Sequence, residues 1–390
     1  MEGMTSLRPT HCVLFAACLL FTMLAAPEVS AVEHVLANVD GHERKLSGQI
    51  VLEDSAGGVL LETDEGELWL LSADKIHSRT SDNKSLAPLD KEQLAERLLA
   101  EMGPGFRVHY SKHYVVIYNT TRTYARWCSS LLERLQKAFL AYWNKKGCDV
   151  HKPVAPLAVL VFSDRNSYMR YAKKELGPGG GNAIGYYSLF TNRIAMYDLT
   201  GMQELRRRNS KRGTMHDITA LLNQRAAKPL VATIVHEATH QISYNCGLQT
   251  RLADNPAWLS EGLAMFFETP DLSSNRSWTG IGKVNYSRWD LFRKNFNSGK
   301  EKTLEELVAS DDRLHEPRTA VDAYAASWAW TYFLIKWHPK EYTAYLNMLS
   351  EKPMLKRDDP QTRLADFRKY LGEDLHALEE EFIRRMSRID

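Results

Sequence analysis

The 390-residue sequence has almost no excess of charge of either sign: 50 Lys and Arg stand against 48 Asp and Glu, a formal net charge of +2 with no long single-sign block. Strongly basic faces are what non-specific nucleic-acid binding is built from, so no nucleic-acid partner is expected. The one basic cluster, "LRRRNSKRG" at 205 to 213, is interrupted by Asn and Ser and reads as a solvated loop, with a phosphate or anionic-polymer contact as the rival reading. Cysteine is sparse. Of five, Cys12 and Cys18 lie in the N-terminal segment, leaving Cys128, Cys148 and Cys246, which cannot all pair. Cys128 and Cys148 sit towards opposite ends of one predicted helix, roughly 30 Å apart at about 1.5 Å per residue, so any intramolecular bridge has to include Cys246. Beyond the N-terminal segment no stretch reaches the roughly 20 uncharged apolar residues that span a bilayer, so no membrane span is expected after it. No internal repeat is present.

What is there begins with "MEGMTSLRPTHCVLFAACLLFTMLAAPEVSAVEH": Arg8, an apolar run from Val13 to about Ala26, and the small-residue site "VSA". This is the pattern of a secretory signal peptide, residues 1–31, cut after Ala31. The apolar run continues past Cys18 to Leu24, which argues against lipidation at that cysteine. The mature chain is expected to be soluble and exported: secreted, periplasmic or in the cell envelope.

About 360 remaining residues are too many for one small core and predict two domains or more. Residues 32–90 alternate short Leu-rich and β-branched runs with "DSAGG" and "DEG" turns, the pattern of a small antiparallel sheet or barrel serving as a docking or spacer module. The polar stretch "TSDNKSLAPLDKEQ" reads as its linker. From residue 91 to 390 the pattern is mixed. "FRVHYSKHYVVIYNT" and "PLAVLVFSD" read as strands around the long helix "TYARWCSSLLERLQKAFLAYWNKKG", "AIGYYSLFTNRIAMYDL" reads as a hairpin, and after residue 214 the chain turns almost wholly helical. Strands early and helices late predict an α+β fold.

"KPLVATIVHEATHQISYNCG" predicts a largely buried helix, with Pro229 at its start and Gly247 just past its end. On it His236 and His240 stand at i and i+4, so both imidazoles leave one face and can share an ion. Glu237 is near enough to enter the same cavity without being a ligand. The pentad H-E-x-x-H pairs two metal-binding histidines with a glutamate acting as general base, here His236, His240 and Glu237. A catalytic Zn2+ takes three protein ligands and keeps one position open. "DNPAWLSEGLAMFFETP" supplies the third in Glu261, on a helix begun by Pro256, capped by Asp254 or Asn255 and ended by Pro270. A carboxylate among Trp258, Leu259, Leu263 and Phe266 is costly unless paired or bound to metal. Glu268, seven positions on, faces the same way and is placed either to hydrogen-bond a ligand histidine or to stand exposed near the helix end.

"HEATHQ" followed after 20 intervening residues by "WLSEG" resembles the gluzincin metallopeptidases, above all the aminopeptidase N group. The motif likeness covers roughly residues 229 to 334. The whole chain, with its signal segment, small β module and helical tail, resembles the bacterial domain-of-unknown-function family 1570 within the same superfamily. The resemblance implies a gluzincin-like domain in which His236, His240 and Glu261 bind zinc and Glu237 is the base. It also implies a tyrosine that hydrogen-bonds the oxyanion, and "DAYAASWAWTYFL" offers Tyr324, with Ser327 where the group often has Gly. Tyr332, deeper in the same helix, is expected in the core.

The sequence departs from the aminopeptidases in lacking their G-x-M-E-N strand, so aminopeptidase activity is not expected. The hairpin "GYYSLFTNRIAMYD" either offers an edge strand to an extended peptide or is buried in the sheet. The reading is an exported zinc metallopeptidase acting on a peptide or protein. Its rival is a non-catalytic metal-binding or peptide-binding protein on the same fold, against which the intact Glu237 argues.

Overall fold

The computed structural model describes residues 31–177, 183–202, 205, 213–269, 278, 280–299 and 303–389. The signal segment up to residue 30, most of the basic cluster at 205–213 and Pro270 lie outside the described residues.

Five strands form the first sheet: β1 (Ala31–Val39), β2 (His42–Glu53), β3 (Val59–Thr63), β4 (Leu68–Leu71) and β5 (Ile76–Ser85), in the order β4-β3-β2-β1-β5 with antiparallel pairing throughout. Asp40 and Gly41, at φ 54° and 80°, make the tight turn between β1 and β2 that a right-twisted hairpin requires. One expectation is corrected here. Thr80 to Ser85, read as the start of a linker, is the second half of β5 and pairs with β1. As an edge strand it is exposed along nearly its whole length, so it never needed the apolar alternation by which strands are read.

The core of this sheet is small, with Val35, Ala37, Val59, Leu61 and Leu71 fully buried. Its acidic turn between β3 and β4 docks on the rest of the chain. Arg193 is 5% exposed and meets Glu65, Glu67 and Glu101 at 2.9, 2.6 and 2.7 Å. Arg251 donates to Gly66 O and Glu62 at 2.7 and 2.8 Å, and the Leu68 amide donates to Phe190 O at 2.8 Å.

The second sheet is laid down with helices between its strands: α1 (Lys91–Met102), β6 (Arg107–Tyr110), β7 (Tyr114–Tyr118), α2 (Arg122–Lys146), β8 (Leu157–Phe162), α3 (Arg165–Leu176), β9 (Gly185–Tyr187) and β10 (Arg193–Tyr197). The order is β6-β7-β8-β10-β9; β8 lies parallel to both β7 and β10, while β6 and β9 pair antiparallel at the two edges. Every residue of β7, β8 and β10 is buried, which is why they read as continuous apolar runs.

Helices follow: α4 (Met215–Leu222), α5 (Lys228–Asn245), α6 (Ala257–Phe267), α7 (Tyr286–Asn297), α8 (Leu304–Ala309), α9 (Asp312–His315), α10 (Ala320–Trp337), α11 (Pro339–Ser350), α12 (Pro360–Leu371) and α13 (Leu375–Met386). The fold is α+β. Among the described residues no helix is long and apolar enough to cross a membrane. Cys128, Cys148 and Cys246 are free, buried thiols, and burial pushes Cys148 and Cys246 up to about 12, so neither is a nucleophile at neutral pH.

Candidate metal centre

Helix α5 carries the pentad because both of its sides are anchored. Val231, Ile234, Val235, Ala238 and Ile242 are buried. Gln241, also fully buried, donates to Ala158 O in β8 and to Asn192 O in the β9–β10 turn, both at 3.0 Å. The chain leaves the helix through Gly247, at φ 86°, where a side chain would be strained.

Helix α6 is held differently from the expectation. Neither Asp254 nor Asn255 caps it; its first amide, Ala257 N–H, donates to Asp311 Oδ1 at 2.8 Å. Asp254 is wholly buried and taken up by a two-point pair with Arg363 of α12 at 2.9 and 2.7 Å, and Arg363 also holds Asp311 at 2.9 Å. The cap is therefore supplied by Asp311, 54 positions beyond Ala257, and held through the guanidinium of Arg363, 109 positions beyond Asp254, which no local pattern displays.

Packed against α5, α6 brings Glu261 to the two histidines. His236 Nε2 lies 2.9 Å from Glu261 Oε2 and 3.2 Å from His240 Nε2, and His240 Nε2 lies 3.6 Å from Glu261 Oε1. The imidazole planes meet at 80°. Two nitrogens and one oxygen within 4.8 Å of one another converge on a single point. Ligands about 2.0–2.1 Å from a tetrahedral zinc stand about 3.4 Å from each other, so both the spacing and the donor types fit that ion. Side-chain exposures of 12% for each histidine and 21% for Glu261 leave the point reachable from solvent.

Burial alone would raise the pKa of Glu261, but the imidazoles of His240 and His236 prevail and hold it well below the usual carboxylate range. Burial works downward on His236, yet hydrogen bonds to Glu261 and Glu268 raise it well above its ordinary value. Glu268, at the C-terminal end of α6, is 7% exposed and lies 3.2 Å from His236 Nδ1. Its other oxygen accepts from Asn285 Nδ2 at 2.7 Å and faces Arg288 Nε at 3.4 Å. Of its two expected placements, the structure has Glu268 buried beside His236 rather than exposed near the helix end. Holding Nδ1 turns Nε2 towards the convergence point.

Glu237 leaves the ligand cluster and points at the sheet, where its Oε2 accepts the Tyr187 amide of β9 at 2.8 Å. Burial raises its pKa, the two imidazoles and the Tyr187 amide pull it down, and the Glu261 charge adds to the rise; the net shift is upward. That is the direction a proton acceptor needs if it is to keep what it takes. Tyr324 of α10 is turned towards the same group. Burial and then the charges of Glu261 and Glu237 raise its pKa, so its hydroxyl stays protonated, and its ring lies 5.8 Å from the Arg288 guanidinium. Tyr332 is in the core, packed on Trp328 and Phe266.

Asn285 and Arg288 were not legible as site residues in the sequence. Asn285 has the position of a helix N-cap, and it does accept the Arg288 amide, but its second bond, to Glu268, depends on how α7 sits against α6.

Residues 230–356 match the model of a protein family of unknown function, DUF1570. That stretch, about a third of the chain, contains His236, Glu237, His240, Glu261, Glu268 and Tyr324. No curated protein matches the chain.

Proposed function

We propose that this protein is an exported zinc-dependent peptidase of gluzincin type. The observation that carries the reading is the convergence of His236, His240 and Glu261 on one point, with a half-buried Glu237 beside it that is not needed as a ligand. His236, His240 and Glu261 would hold the zinc, which when bound lowers the pKa of a water and polarises a carbonyl.

The chain's own groups do the rest. Glu237 takes a proton from the attacking water and returns it to the leaving nitrogen, a task for which its raised pKa suits it. The protonated Tyr324 hydroxyl donates to the oxygen that gains charge. Strand β9 is the sheet edge on which an extended peptide is laid. Since the Ser188 amide donates inward to Arg193 O, alternation turns the main-chain groups of Gly185 and Tyr187 outward, where the Tyr187 amide is taken by Glu237 and the peptide has to pair with the other groups. Residues 1–31 support export.

Elemental analysis of protein purified without chelator is expected to find about one zinc per chain, and a broad peptide library is expected to be cut, with cutting lost to chelator and restored by zinc. Glu237→Gln should keep the metal and lose cutting by about a hundredfold or more. Absence of metal from the wild type would remove the zinc assignment. Metal with no cutting of any peptide would leave the non-catalytic binding protein instead.

A further inference from the structure

Arg251 lies on the chain between α5 and α6, the helices that carry His236, Glu237, His240 and Glu261, and it is 8% exposed. Its guanidinium joins three segments. Nη1 donates to Gly66 O in the β3–β4 turn at 2.7 Å and to Leu189 O in the β9–β10 turn at 3.3 Å, and Nη2 donates to Glu62 of β3 at 2.8 Å. The next carbonyl of the second turn, Phe190 O, accepts the Leu68 amide of β4 at 2.8 Å. Two successive carbonyls of the β9–β10 turn are thus held from outside it, one by the first sheet and one by an arginine that the first sheet grips.

That turn also sets β9. Tyr187, at the end of the strand, gives its amide to Glu237 and its hydroxyl to Asn192, both at 2.8 Å, and Asn192 O accepts from Gln241 of α5 at 3.0 Å. We infer that Arg251 is a positioning residue: through it the first sheet fixes β9 against α5 and so places the main chain that Glu237 meets. The sheet expected to be a docking or spacer module is then part of the frame of the candidate metal centre. The inference rests on the peptidase reading for its effect on turnover, though the placing of β9 does not. A guanidinium donating to two carbonyls and a carboxylate fixes direction as well as distance, because its donors form a rigid fork. Arg251 is not what keeps the first sheet attached, since Arg193 meets Glu65, Glu67 and Glu101 independently of it. Its loss should therefore release the β9–β10 turn without undocking the sheet. Tyr187 reaches Glu237 through one main-chain bond, so any drift of the turn is felt there, and a displacement of about 1 Å at a reacting group can cost about a hundredfold in rate.

The test is hydrogen exchange read by mass spectrometry on the full protein as isolated, comparing the wild type with Arg251→Gln and, from the other side of the contact, Glu62→Lys. The Glu62 side chain is 37% exposed, so its variant should fold normally while setting a positive charge against Arg251. In both variants exchange over residues 184–192 is expected to quicken by about tenfold or more, while β7 and β8 keep their wild-type rates. On a peptide that the wild type cuts, kcat should fall about ten- to a hundredfold at unchanged metal content. Arg251→Lys keeps the charge but replaces the fork by a single ammonium, so it should recover part of both losses. Unchanged exchange over 184–192 in both variants would overturn the inference. So would a rise spread evenly over β7, β8 and 184–192, which is what a role in stability alone predicts, or quickened exchange with full turnover. Quickened exchange confined to 184–192, in a protein whose wild type cuts no peptide, would keep the positioning role and remove the peptidase reading.

Discussion

Replacing Gly262 by Ala probes the contact that brings Glu261 and Tyr324 together, because Gly262 follows Glu261 on α6 and faces α10, the helix of Tyr324. A Cβ at Gly262 would stand 2.0 Å from Thr331 Oγ1, 2.8 Å from Thr331 Cβ and 2.7 Å from the Ser327 carbonyl oxygen. The hydroxyl can rotate away. The carbonyl belongs to the backbone of a buried helix, so α10 must withdraw by roughly 0.7 Å to restore an ordinary contact. Overpacking of this kind costs about 1–3 kcal/mol, and a backbone contact belongs at the upper end or beyond. Ala in place of Gly inside a helix returns about 1 kcal/mol. The net expectation is a loss of about 2 kcal/mol, read as a lower denaturation midpoint at unchanged slope. Adding Thr331→Ala removes the hydroxyl but not the carbonyl, so it should relieve part of the loss, with a coupling of at least about 0.5 kcal/mol in the double-mutant cycle. Since α6 is pushed from α10 next to Glu261, metal affinity should fall in the single variant. A Gly262→Ala protein as stable as the wild type would refute the close approach of the two helices.

Glu268→Gln keeps the shape but presents an amide to donors that now meet a carboxylate, so metal affinity measured by chelator competition should fall about ten- to a hundredfold; an unchanged affinity would mean that the Nδ1 contact does not orient His236. Tyr324→Phe should lower the catalytic rate by the equivalent of about 2.7–4 kcal/mol with zinc content unchanged, whereas Tyr332→Phe should act on stability rather than rate; full turnover by the Tyr324 variant would place the oxyanion donor elsewhere. In the metal-free protein His236 titrates above its ordinary value, so its contribution to stability is complete below that ordinary value and is lost as pH rises through the raised one. A metal must displace that proton, so binding at neutral pH should release about one proton, and affinity should weaken as pH falls. Heats of binding that do not vary with the ionisation enthalpy of the buffer would contradict the raised value.

Much of the chain from α1 onward was legible because its signals are local. The buried runs of β7, β8 and β10 leave no choice of face, and α5 declares itself by Pro229, its apolar stripe and Gly247. The four-residue spacing of His236 and His240 puts them on one side of any helix that forms there, whatever surrounds it. Glu261 was readable at the next level, since a carboxylate inside an apolar helix demands a partner. What escaped was whatever depends on a second segment: strand β5, which has no buried face to pattern it; the cap of α6, where Arg363 draws Asp254 away and Asp311 arrives in its stead; and the acidic turn of the first sheet, seated on Arg193 and Arg251.

By itself, then, the sequence determined which side chains each helix presents, because a helix has one period and a proline or glycine marks its ends. It did not determine what those side chains meet. That Glu268 reaches His236, that Asn285 and Arg288 close on Glu268 from behind, and that Glu237 takes an amide from the sheet edge are decided by the docking of α6, α7 and β9 around α5. Docking is set by packing summed over many buried residues distant in the chain, and such a sum has no local signature.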